Sequence, residues 1–348
     1  MKVAQVVSSL LLAGVSACVV PSMVFAIGGP SGPKQTYKKM GQLGEVVVNP
    51  YGIAPLTAII KHGGYTLTDV KVTVQAKAGG VPISYKVSDG LIKNYAGIPV
   101  FGLYADYKNT VLVEYKRQEG AQTKSVKETY KIYAAPIFGQ VDGMTNGVFF
   151  SKIEVKKVDP EFKNRLYFVN NIGGDAKGVK VVWNNPAGGA LEWNYEPQNF
   201  IIDTKGEVRW YMLPDKIYTM NSIYHSGVMM GFRQNEVGAL SWGYGQRYVK
   251  YDIMGREVFN RQLPDSYNDY SHFMYPATAG KAKGHYFMRA ANANYKRPDG
   301  KNVRTVRDGI VEVDESGKVV DDWRLYEILD QYRDNVIKVL DQGAVCLN

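Results

Sequence analysis

NFIIDTKGEVRWYML (199–213), YVKYDIMGREVFNRQL (248–263) and GIVEVDESGKVVDDWRL (309–325) are three versions of one pattern. Each runs an apolar strand into Asp-x-x-Gly and out into a second strand, anchored at Asp203/Gly206, Asp252/Gly255 and Asp314/Gly317. An aspartate there can accept from the turn backbone and the glycine can take a positive φ, so the spacing suits a tight hairpin. The aspartates stand 49 and 62 positions apart. Strand–turn–strand units repeating near this period read as blades of a β-propeller. One blade can be followed as GVMMGF, ALSWGYG, YVKYD and EVFNRQL, and the next as HFMYPA, HYFMRA, GIVEVD and KVVDDWRL. Beyond them Leu325, Ile328, Leu329 and Tyr332 fall at helical spacing.

Working outward, the upstream residues alternate with period two. In DVKVTVQ, Val70, Val72 and Val74 alternate with Lys71, Thr73 and Gln75; in VLVEYK, Val111, Val113 and Tyr115 alternate with Leu112, Glu114 and Lys116. One apolar and one wet face mark an antiparallel sheet covered on one side. Breakers at Gly63-Gly64, Gly79-Gly80, Asp89-Gly90, Lys108-Asn109 and Glu119-Gly120 cut this region into the short strands of a small β-sandwich. The chain therefore reads as all-β: a signal peptide over 1–26, a linker over 27–45, a sandwich over 46–135, a connecting segment over 136–162 and a propeller over 163–348. The sandwich is expected to fold without the rest.

Composition agrees. Among 348 residues, 36 glycines and 25 tyrosines suit many turns and strands, and a 45% hydrophobic content excludes a disordered chain. Two cysteines exclude a disulfide-dense scaffold, a Cys-based zinc finger and an iron–sulfur site. The net charge of +9 favours anionic partners, yet the basic residues are scattered among acidic ones, and no nucleic-acid partner is expected. Lys2, the uncharged residues 3–20 and Val24-Phe25-Ala26 read as a secretory signal cleaved after Ala26, leaving a mature charge of +8. Ser8, Ser9 and Pro21 interrupt the apolar run and argue against a transmembrane anchor, and no other stretch is long enough to span a membrane. Val15-Ser16-Ala17-Cys18 supplies the alternative, a lipoprotein anchored through Cys18.

Four histidines are present, at 62, 225, 272 and 285. No pair has metal-ligand spacing, and HExxH, Walker A and Gly-x-Ser-x-Gly motifs are absent, so no metal or cofactor is expected. His62, at a Gly-Gly turn, reads as a solvated loop residue, and His285, after Gly284, as structural or exposed. His225 and His272 follow Gly206 and Gly255 by 19 and 17 residues, just ahead of an innermost blade strand. Innermost strands line a propeller's channel, where a histidine either faces a ligand or bonds the blade backbone. His272 is the stronger candidate of the two. Tyr295–Arg307 carries Lys296, Arg297, Lys301, Arg304 and Arg307, either a solvated hairpin or a basic rim attracting an anion.

Taken together, these stretches resemble the bacterial arylsulfate sulfotransferase family. The similarity is carried by GQLGEVVVNPYGIAPLTA (41–58), IPVFGLY (98–104), RLYFVNN (165–171), FIIDTKGEVRW (200–210) and MMGF (229–232). It continues through DIMGREVFNRQLP (252–264), SHFM (271–274), DGKNVRTVRDGIVEVD (299–314) and DQGAVCLN (341–348). The resemblance implies a periplasmic protein with an N-terminal sandwich and a six-bladed propeller, of which about three blades are expected here. It implies ping-pong transfer of a sulfuryl group from an aryl sulfate donor to a phenolic acceptor, through a sulfurylated histidine and without a nucleotide donor. A neutral imidazole is a competent nucleophile near neutral pH, and fixed donors stabilise the charge spread over the transferring oxygens. His272, within SHFM, aligns with the first of the family's active-site histidines, a donor to a sulfuryl or bridging oxygen. His225 has no such counterpart. The sulfurylated histidine, a second histidine with its asparagine, and an arginine have no counterpart up to Asn348, so no turnover is expected from these residues alone. The family is dimeric, which implies a homodimer, although no feature of the sequence requires one. The alternative from a different class is a non-catalytic exported propeller fragment that binds anionic aromatic ligands or a partner chain.

Overall fold

Val70, Val72 and Val74 turn inward from one strand and Val111, Val113 and Tyr115 from its neighbour, none more than 3% exposed. The structure, a computed structural model, describes residues 36–37, 43–137, 139–141, 144–146, 150, 153–172, 180–182, 192–194, 197–213, 233–236, 239–244, 247–264, 266–267 and 274–329. The alternation builds two four-stranded antiparallel sheets. The first orders β1 (Thr36–Tyr37), β2 (Val46–Val48), β3 (Thr57–Lys61) and, after two strands of the second sheet, β6 (Gly97–Phe101). The second, in the order β5-β4-β7-β8, takes β4 (Leu67–Val74), β5 (Ile83–Val87), β7 (Tyr107–Glu119) and β8 (Gln122–Ala134). Val48, Ile60, Ile98 and Val100 from the first sheet share one core with Val72, Val113, Tyr130 and Ile132 from the second. Each buried valine contributes about 2 kcal/mol.

Two of the expected breakers fall inside regular structure. Asp89-Gly90 opens α1 (Asp89–Tyr95), because Ser88 caps the helix by accepting from the Leu91 amide, 3.4 Å away. Lys108-Asn109 lies within β7. Asn109 is fully buried, accepting from the Tyr104 amide at 2.8 Å and donating to the carbonyls of Tyr104 and Tyr107. It braces the turn before β7 instead of making one.

After β9 (Gly139–Val141) and β10 (Met144–Asn146), which pair with each other, the described residues form three larger antiparallel sheets and one two-stranded pair. The first joins β11 (Tyr167–Ile172), β14 (Pro197–Ile202) and β15 (Val208–Tyr211), with the pair β12 (Lys180–Val182) and β13 (Glu192–Asn194) inserted in sequence. The second is a meander of β16 (Arg233–Glu236), β17 (Ala239–Tyr244), β18 (Arg247–Asp252) and β19 (Glu257–Gln262). The third repeats it with β20 (Met274–Pro276), β21 (Tyr286–Lys296), β22 (Asn302–Val313) and β23 (Val319–Arg324). These are propeller-like blades in the expected order. The described part of the second blade begins with the strand at Arg233–Glu236; GVMMGF (227–232) lies outside the described residues. That strand is a sheet edge held by backbone pairing, so its polar sequence carries no burial signal. The helical spacing after β23 yields α2 (Leu325–Ile328), with Ile328 and Leu329 exposed and Tyr332 outside the described residues.

All three Asp-x-x-Gly turns are built alike. Asp203, Asp252 and Asp314 each accept on Oδ1 from the amides two and four residues on, at 2.8–3.2 Å. The glycines take φ +76, +83 and +92. Each turn is followed by the same register shift: Ile202↔Val208, Tyr251↔Glu257 and Val313↔Val319 pair normally, and then one residue is skipped. The bulged residue is Arg209, Val258 or Val320. A bulge behind a positive-φ glycine adds twist, and twisted four-stranded sheets are what a propeller packs.

Two of these turns dock on the sandwich. Arg209, with no exposed side-chain surface, pairs with Asp203 at 2.7 Å, stacks 3.6 Å from the Tyr104 ring centroid and donates to the Gly102 and Val81 carbonyls. Glu207 meets Lys77 at 2.8 Å. At the second turn, Tyr95 donates to Asp252 Oδ2 at 2.8 Å, and Arg256 reaches both Asp252 and the Asn94 side chain. Trp210 donates to the Ile253 carbonyl, and the Leu213 amide to that of Ile53. The sandwich core also runs on without a break into Phe150, Phe200, Ile202 and Tyr211 of the first blade and its approach. The third turn rests instead on the preceding blade, where a Cβ on Gly317 would meet Arg261 and Tyr248.

Candidate active site

Register in the third blade sorts its residues into levels. Pro276, Tyr286, Val313 and Val319 lie level with one another beside the Asp314–Gly317 turn. Met274, Met288, Val311 and Asp322 form the next level, and Ala290, Gly309 and Arg324 the one beyond. Past that point β21 and β22 continue as a pair, through Asn292↔Thr305 to Lys296↔Asn302. The innermost strand β20 therefore begins toward the Ala290 end, away from the Asp-x-x-Gly turn. Met274, which opens it, is fully buried with Met288, Ala290 and Val311.

Both candidate histidines, His272 and His225, lie outside the described residues. The two described ones serve local structure. His62 accepts on Nδ1 from the Gly64 amide at 2.9 Å and closes its turn. His285 sits at the turn end of the third blade, its Nδ1 2.6 Å from Glu312 Oε1. Its carbonyl accepts from the Ala277 amide at 2.9 Å. A histidine–carboxylate pair can exchange a proton, but this one lies at the opposite end of the blade from the start of β20.

The basic stretch is the tip of the long β21–β22 hairpin, where the Arg297 amide donates to the Lys301 carbonyl at 2.9 Å. Arg297 is paired with Asp299 at 2.7 Å, which holds that carboxyl below its usual range. Lys296 and Lys301 remain exposed, while the side chains of Arg304 and Arg307 are not described. The positive rim at the tip is thus smaller than the sequence count. Among the described residues no group of three or more His, Cys, Asp or Glu could hold a metal ion, and no helix is long and apolar enough to cross a membrane. The buried Asp203–Arg209–Tyr104 cluster was not anticipated from sequence. Its only advance signal is an arginine where the repeat elsewhere places valine.

The family model described as Arylsulfotransferase (ASST) matches residues 152–345, across all three blades, and the one described as Arylsulfotransferase Ig-like domain matches 45–135. The chain belongs to the arylsulfotransferase family. It is 37% identical over 340 residues to arylsulfate sulfotransferase AssT of Lelliottia amnigena, covering 93% of this chain and 56% of that relative. To AssT of Escherichia coli O6:H1 it is 38% identical over 323 residues, 88% of this chain and 53% of the relative. The chain thus spans about half the length of the curated arylsulfotransferases it matches.

Proposed function

We propose that this arylsulfotransferase chain acts in moving a sulfuryl group from an aryl sulfate to a phenol, in a two-stage exchange through a sulfurylated histidine. The observation carrying this reading is the propeller-like run of blades within the very residues that match the family model. His272 is the proposed donor to a sulfuryl or bridging oxygen. What supports this reading is its SHFM context (271–274), which resembles the family's active-site stretch. Residues 1–26 are proposed to export the chain to the periplasm, residues 27–45 to link, 46–135 to form the sandwich unit and 163–348 the propeller part. A homodimer belongs to the same proposal.

The test joins this chain in frame to the C-terminal part of the Lelliottia amnigena relative and assays an aryl sulfate with a phenol. Phenol released and sulfated in equal amounts is the expected result. His272→Ala should lower turnover roughly a hundredfold, about 3 kcal/mol, the loss of one oxyanion donor, with its melting temperature unchanged. Unchanged turnover with a lower melting temperature would make His272 structural. Ligand binding with no transfer in the joined protein would favour the non-catalytic reading.

A further inference from the structure

We infer that the sandwich is a brace keyed to the first two blade turns, and that sandwich and first two blades open as one cooperative unit. The inference rests on three features of the interface. The first is core continuity: Phe200, Ile202 and Tyr211 belong to the same cluster of buried residues as the sandwich valines, so neither side closes its own core. A second cluster unites Ala54 of the sandwich with Trp210 and Met212 of the first blade and Val249 and Tyr251 of the second. The sandwich thus contacts two blades at once and sets the angle between them.

The second feature is the chemistry of the sockets. Arg209 places a guanidinium with no exposed surface against two sandwich carbonyls, Gly102 at 2.8 Å and Val81 at 2.8 Å, with Tyr104 on its face. Separating the joint leaves Arg209 with Asp203 alone and takes both arginine donors from the buried Gly102 carbonyl, so partial opening here is costly. The third feature is that the residue after the turn glycine is matched to its socket. In the first turn Glu207 meets Lys77, in the second Arg256 meets Asn94, and in the third Lys318 has no contact with the sandwich among those described. The same turn is reused three times, and only the two copies facing the sandwich carry groups made for it. Alternating valines alone suggest a sandwich able to fold by itself; the shared core argues that it does not open by itself.

Hydrogen–deuterium exchange on the 348-residue chain tests the idea, comparing wild type with Arg209→Met. Protection should fall by a similar factor, about tenfold or more, in β4 and β7 of the sandwich, in β14 and β15, and in β18 of the second blade. Arg256→Gln, a partly exposed change at the other socket, should give the same pattern with smaller amplitude and serves if Arg209→Met does not fold. Lys318→Gln, the equivalent position in the third turn, should leave the sandwich unchanged. Loss of protection confined to one side of the joint, in either socket variant, would overturn the inference.

Discussion

Gly120 and Gly255 take the same left-handed backbone, φ +60 and +83, in different surroundings. An added Cβ at Gly120 would meet nothing within 4 Å, whereas at Gly255 it would meet the Ala54 amide nitrogen at 3.0 Å and Ile53 Cβ at 3.1 Å. Gly120→Ala should therefore cost only the conformational term, about 1 kcal/mol. Gly255→Ala should cost about 3 kcal/mol, because a backbone amide cannot move aside as a side-chain tip can. Urea midpoints of the two variants measure the difference, and equal losses would mean that the turn does not bear on the loop at 53–54. Asp314 makes a second residue-scale case. The Ser316 hydroxyl, followed by the Lys318 and Ser316 amides, holds its carboxyl below the usual range. Its stabilising effect is in full force above about pH 4 and is lost as pH falls through the lower folded value, since the unfolded chain takes up the proton first. Asp314→Asn should lower stability in the neutral region and flatten the acid limb of a stability–pH curve, so that variant and wild type converge at low pH.

Helix α1 shows what the elements add. It is seven residues long, capped by Ser88 at one end and by Ala96 in the left-handed region at the other, and it carries Asn94 and Tyr95 to the second blade turn. Tyr95→Phe removes only the bond to Asp252, an interaction with a charged acceptor, and should lower stability by about 2 kcal/mol. A thermal melt checks it, and no change would mean that Arg256 and the turn amides already satisfy the carboxylate. The strands were legible in the sequence because period two records burial directly, as Val70, Val72 and Val74 do. The helix was not, because an Asp-Gly pair suits a turn as well as a helix start, and seven residues are too few for helical periodicity to decide. Asn109 misled for a similar reason. Its residue type favours turns, but its side chain braces a neighbouring one.

Across the whole molecule, export makes the plainest prediction. N-terminal sequencing of the secreted protein should find Ile27 first; a lipid-bearing Cys18 would instead mean a membrane-anchored form. The run of blades was legible from three Asp-x-x-Gly copies, while His272, singled out by its place after the second of them and by the SHFM resemblance, lies outside the described residues. The joint between sandwich and blades was not legible. Arg209 and its Gly102 acceptor are 107 positions apart, and no local pattern links them. The repeated turns carry a consequence for how the chain avoids error. Near-identical neighbouring repeats are prone to swap places during folding, and multidomain and repeat proteins misassemble in this way. Here the second hairpin in the first socket would set Arg256 against Lys77, cation to cation, and the first hairpin in the second socket would take Glu207 away from its Lys77 partner. The polarity of a single position thus works as an address, rejecting the wrong order of otherwise interchangeable parts before the core has closed over them.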